Sequence, residues 1–91
     1  MPRYYSFKIA DHYLYFTSQF VIEAMHAHAI GKNLSEARSA RFFIKGNGDI
    51  VLRKQGTLNG RQMVIISKFI KENYLEMYKM WQVFGCGDFL V

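Results

Sequence analysis

The hydrophobic period of this chain changes once, at Gly56, and that change restricts it to folds that build strands first and helix afterwards. Before Gly56, Tyr5, Phe7 and Ile9 alternate with Ser6 and Lys8, and after an Ala10-Asp11 turn the run from His12 to Phe16 is dense in residues of high strand propensity. The two runs are expected to form a first hairpin. Met25 to Ile30 alternates again, which puts His26 and His28 on one face of a strand and Ala27 and Ala29 on the other. Residues 17–23 fit a strand or a helical turn capped by Ser18 and stay unassigned, and Gly31 to Ser39 reads as a polar, basic connection.

A second hairpin is the clearest local signal: Arg41 to Lys45, the turn Gly46-Asn47-Gly48-Asp49, then Ile50 to Lys54. Asn-Gly at the two central positions of a turn tolerates the positive φ of type I′. In that register Phe42 faces Arg53, Phe43 faces Leu52 and Arg41 faces Lys54. One face would carry Phe42, Ile44, Val51 and Arg53; the other would carry Phe43 and Leu52 between Arg41, Lys45 and Lys54.

Beyond Gly56, Asn59 with Gln62 resembles a capping box, and Met63, Ile66, Ile70, Met77, Trp81 and Phe84 recur at helical spacings up to a stop at Gly85. No Pro or Gly interrupts Arg61 to Phe84, so a single helix is possible. Asn73 with Glu76 repeats the cap pattern, and so long a helix would project beyond a small sheet, which favours a break near Asn73. The expected architecture is α+β, one domain over residues 1–91. An antiparallel sheet of four to five strands packs against one long or two short C-terminal helices. At 91 residues and 16% aromatic content, the Phe and Tyr residues with Trp81 must supply much of the core.

The net charge of +5 is unevenly spread: Lys32 to Lys71 holds nine basic and two acidic residues, a net +7. Such a middle suits an anionic partner, RNA or an acidic protein, and also suits a surface that merely stays soluble. A single cysteine, Cys86, has no internal partner and fits a reducing cytoplasm. The N-terminal residues contain no continuous apolar run, so neither a signal peptide nor a membrane span is expected.

His26-Ala27-His28 is the most suggestive constellation for chemistry, since imidazoles two apart on a strand project together and suit an acid and base pair at a phosphate. A zinc site would need a third ligand, and His12, Glu23 and Asp11 have no diagnostic spacing, so no metal is assigned. The plain alternative is a pair of structural histidines hydrogen-bonded to backbone or water. With Arg41 they include the residue types of a metal-independent ribonuclease, though any basic domain would contain them. No nucleophile elbow, Walker loop or dinucleotide fingerprint occurs, and no cofactor is expected. Arg41, Phe43 and Lys45 interleave an aromatic with cations, an arrangement that stacks a base and holds phosphates. The competing account is that Phe43 packs against the helices while the basic stems snorkel outward. Lys32, Arg38, Arg53, Lys54 and Arg61 complete the candidate nucleic-acid-binding set, while Tyr74, Tyr78 and the methionines leave apolar surface for a partner or a homodimer.

Taken in order, the aromatic run Tyr13 to Phe16, His26-Ala27-His28-Ala29, Ala40-Arg41-Phe42-Phe43-Ile44, and Phe69-Ile70-Lys71-Glu72-Asn73 through Trp81 to Phe84 resemble the small prokaryotic domain-of-unknown-function family 4160, over about residues 4–84. The resemblance implies a short bacterial or phage-associated α+β protein whose gene often neighbours a second small gene, in the manner of toxin and antitoxin modules. It further implies a toxin-like component that engages RNA or the translation machinery and is neutralised by a small acidic partner. His26, His28 and Arg41 are the positions that match the family's motifs.

Overall fold

The computed structural model describes residues 3–16, 24–31 and 39–84. Four strands, β1 (Tyr13–Tyr15), β2 (His26–Ile30), β3 (Ala40–Ile44) and β4 (Ile50–Lys54), precede one helix, α1 (Gly60–Phe84). They form an antiparallel meander in the order β1-β2-β3-β4, so the fold is α+β as expected. The unassigned residues 17–23, residues 32–38 of the expected Gly31 to Ser39 connection, and the Gly85 stop lie outside the described residues.

One sheet face carries Leu14, Ala27, Ala29, Ala40, Phe42 and Ile44, all buried in a core shared with Ile66, Ile70, Met77 and Trp81 of α1. Alanine at three of these sheet positions leaves the volume that the larger helix side chains fill. The helix begins as its sequence dictates. Gln62 N–H donates to the Asn59 side chain at 2.8 Å and Asn59 N–H to the Gln62 side chain at 3.0 Å, a reciprocal capping box. Leu58 before the cap and Met63 after it occupy the positions of a hydrophobic staple, both against the core. The expected break near Asn73 does not occur. The Asn73 amide donates instead to the Phe69 carbonyl one turn back, at 2.8 Å, and α1 runs unbroken for 25 residues.

The first hairpin keeps its turn and loses its ladder. Ala10 and Asp11 have φ of 49° and 63°, and Ile9 and His12 exchange both backbone hydrogen bonds, which defines a two-residue turn of the primed kind. The next rung back is Arg3 with Tyr15, so Tyr5 to Lys8 leave the sheet. Tyr5 and Phe7 pack instead around Phe69, with ring centres 5.2 and 6.1 Å away, and the Tyr5 hydroxyl donates to Glu76 at 2.6 Å. The alternation in this segment therefore marks a loop folded over the helix, not a strand.

The second hairpin forms with a different register from the one expected. Gly48 N–H donates to the Lys45 carbonyl, Lys45 N–H donates to the Asp49 carbonyl, and positive φ falls on Gly48 (89°), not on Asn47. This is a three-residue loop with a glycine bulge, not a two-residue type I′ turn. Packing explains the difference: a Cβ on Gly48 would lie 2.7 Å from Cδ1 of Tyr74, so the loop is seated directly on the helix. Phe43 consequently pairs with Val51 and Phe42 with Leu52. A bulge between Arg41 and Phe42 then returns Lys54 to Arg41 and leaves Arg53 as the extra residue of β4. The expected faces are corrected accordingly: Val51 and Arg53 share the face of Phe43, and Leu52 shares that of Phe42.

Candidate nucleic-acid interface

The sheet face turned away from the helix brings the candidate residues together through the ladder. His28 is paired with Arg41, His26 with Phe43, and Arg41 in turn with Lys54. The side chains of His26 and His28 project the same way, as their spacing predicts, with ring centres 5.4 Å apart. Both are enclosed, at 1% and 6% exposure. His26 Nδ1–H donates to the Ala24 carbonyl at 3.0 Å, and its ring is bracketed by Phe43 at 5.7 Å and Trp81 at 5.1 Å. Tyr4 donates its hydroxyl to the His26 carbonyl at 2.8 Å, and burial pushes that phenol far above its ordinary pKa. His28 Nδ1 lies 3.3 Å from Ser39 Oγ.

His12 is buried as well, apart from the other two. Its Nδ1–H donates to the Ala10 carbonyl at 2.6 Å, and a Cβ on Gly31 would approach its ring to 3.2 Å. Among the described residues no three His, Cys, Asp or Glu side chains converge in a metal-binding group; Glu23 and Cys86 lie outside them.

Phe43 is the centre of the cationic cluster. It is half-buried, on the face opposite the helix, so it is Phe42 and not Phe43 that packs into the core. The Arg41 guanidinium lies 5.5 Å and that of Arg53 5.3 Å from the Phe43 ring centre, within cation–π range. Arg53 follows Val51, the ladder partner of Phe43, by two residues and so falls on the same face, and the bulge turns Lys54, the partner of Arg41, to that side as well. Arg53 and Lys54 are exposed. Two guanidinium groups from two strands thus lie against one aromatic ring, with Lys54 beside them as the ladder partner of Arg41.

The other sequence candidates sit elsewhere. Lys45 lies at the hairpin tip, where with Ser67, Lys68 and Lys71 it borders a shallow open depression between β4 and α1. Arg61 is exposed in the first turn of α1, and Lys32 and Arg38 are outside the described residues. Tyr74 and Tyr78 pack partly against the core, so the apolar surface that α1 leaves exposed belongs to Val64, Ile65, Leu75 and Val83.

A second group was not anticipated. Arg3 and Lys8 approach the rings of Tyr13 and Tyr15 on the same sheet face, with Arg3 4.1 Å from the Tyr13 centre. Two tyrosines two apart on a strand carry the signal for a shared face. The cations come from a loop whose path depends on tertiary packing.

No family model matches the chain, and it matches no curated protein and no solved structure. No helix among the described residues is long and apolar enough to cross a membrane.

Proposed function

We propose that this chain engages RNA, free or within the translation machinery, through the sheet face formed by Arg41, Phe43, Arg53 and Lys54. The observation that carries the reading is the pair of guanidinium groups within 5.5 Å of one half-buried phenyl ring. A ring that supports guanidinium planes reduces their freedom, so less entropy is lost when they meet phosphate oxygens or stack on a base. The positive charge concentrated between Lys32 and Lys71 adds long-range attraction for the same partner.

His26 and His28 support the face from within. Their burial and their Nδ1 contacts favour a structural role, so binding is the primary activity of this reading and phosphodiester cleavage is not needed for it. The resemblance of the sequence to the family numbered 4160 would make such a binding face part of a toxin-like component of a bacterial two-gene module, whose small acidic partner would cover the same cations.

The test is fluorescence anisotropy with a labelled single-stranded RNA over a salt series. Removing one phosphate contact with Arg53→Ala is expected to weaken binding and lower the log–log salt slope by about 0.7. Unchanged affinity and slope in that variant would refute the assignment. Induced expression addresses the toxin part: growth arrest by the wild type that Arg41→Ala/Arg53→Ala relieves supports it, and growth without arrest in a host lacking the neighbouring gene removes it.

A further inference from the structure

A second cation-bearing aromatic wing lies at the opposite side of the same sheet face. Tyr15 is paired with His28 and Tyr13 with Ile30, so both tyrosines stand on the face of the histidines, with rings edge-on at 6.2 Å. The Arg3 guanidinium is 4.1 Å from the Tyr13 centre and 5.9 Å from that of Tyr15, and the Lys8 ammonium is 5.5 Å from Tyr13. Arg3 and Lys8 are exposed and Tyr13 is half-buried. The Arg3–Tyr15 rung and the Ala10-Asp11 turn hold this segment at two points. The loop between them brings Lys8 back over Tyr13.

The two wings are separated. By the ladder register Tyr13 and Phe43 are four residues apart along the sheet and two strands apart across it, about 17 Å. Between them the side chains of β2 that share this face, His26, His28 and Ile30, are buried. A single phosphate or a mononucleotide cannot touch both wings. Each wing also pairs an aromatic ring with cations, which suits an unstacked base beside a phosphate better than it suits the outside of a duplex.

We infer that Arg3, Lys8 and Tyr13 form a second contact for the same ligand, and that this ligand is a single-stranded nucleic acid several nucleotides long. The inference rests on the RNA-binding reading. The phosphates at one end of the segment meet Arg3 and Lys8, and those at the other meet Arg41, Arg53 and Lys54. A base stacks at each wing, on the aromatic ring or on the guanidinium plane seated against it.

The experiment uses the full chain and three probes: oligouridine of about 12 nucleotides, which falls within known single-domain site sizes, a uridine dinucleotide, and an RNA duplex of the same length. Anisotropy follows the long probes and chemical-shift titration follows the dinucleotide. Arg3→Ala/Tyr13→Ala is expected to bind the long single strand about tenfold more weakly, the loss of roughly one stacked base, with the dinucleotide's chemical-shift changes lost around Tyr15 and retained around Phe43. Arg53→Ala should weaken both. Lys8→Glu, an exposed position outside the sheet, should weaken the long probe without altering the thermal melt, which separates a lost contact from a lost fold.

If Arg3→Ala/Tyr13→Ala and Lys8→Glu bind the long strand as the wild type does while Arg53→Ala weakens it, the second contact is overturned and the RNA reading stands. If Arg53→Ala also leaves binding unchanged, or if the wild type binds none of the probes, the RNA reading has failed and this inference with it. A duplex bound as tightly as the single strand overturns the strand preference.

Discussion

The Arg53 guanidinium lies 5.3 Å from the centre of the Phe43 ring, although the ladder pairs Phe43 with Val51. Arg53 follows Val51 by two residues and so lies on the face of Phe43, and it is the extra residue that β4 carries between the Phe42–Leu52 and Arg41–Lys54 pairs. Arg53 is exposed, so Arg53→Ala is expected to change stability by no more than about 0.5 kcal/mol. A urea midpoint shifted well beyond that would mean the residue holds the bulge itself.

His26 should behave in the opposite way. Its ring is 1% exposed and touches Phe43 and Trp81, so His26→Ala opens a cavity in a packed site and is expected to cost about 2–4 kcal/mol. RNA affinity of the fraction that stays folded should remain close to wild type. Denaturation and anisotropy on the same preparation separate the two effects, and a stable variant with no affinity would instead give the imidazole a direct role.

Gly48 is held by conformation and by contact together. Gly48→Ala places a side chain at φ 89° and drives its Cβ to 2.7 Å from Tyr74, with an expected loss of about 2 kcal/mol or more. Tyr74→Ala in the same chain should recover the contact portion and leave the conformational one, so the double-mutant cycle is non-additive. Strict additivity in urea unfolding would show that Tyr74 plays no part.

Two positions offer gains in stability. Gly60 opens the helix with nothing within 4 Å of a built Cβ, so Gly60→Ala should stabilise by roughly 0.5–1 kcal/mol. Ala10 sits at φ 49°, where an L side chain is strained, and Ala10→Gly should relieve about 1 kcal/mol of that strain. Thermal midpoints that fall in either variant would contradict the geometry.

The ion pair at the hairpin tip sets an acid dependence. Lys71 donates to Asp49 at 2.8 Å, and this hydrogen bond and charge hold the Asp49 carboxyl below its ordinary pKa. A carboxyl lowered in the folded state contributes stability above its unfolded pKa, about 3.9, and loses it as pH falls through the folded value. Wild type and Asp49→Asn should therefore differ by a constant amount at neutral pH and converge in acid. The gap should also narrow with salt, because both groups are exposed. A difference that persists at the lowest pH would assign it to the hydrogen bond that the Asn47 side-chain amide donates to the Asp49 side chain instead.

Local chemistry was legible in the sequence. The Asn59–Gln62 box, the stripe through Ile66, Ile70, Met77 and Trp81, the Ala10-Asp11 turn and the shared face of His26 and His28 all depend on residues a few positions apart, so spacing alone determined them. What the sequence could not express was decided between distant segments. Tyr74 beneath Gly48 selected a three-residue loop over the type I′ turn, and with it the register that moved Val51, Leu52 and Arg53 to new faces. Phe69 drew Tyr5 and Phe7 out of the expected strand, while Trp81 and Tyr4 closed over His26. The physical reason is common to all three: spacing reports which way a side chain points. Which backbone it meets, and in what register, is determined only when sheet and helix compete for the same volume.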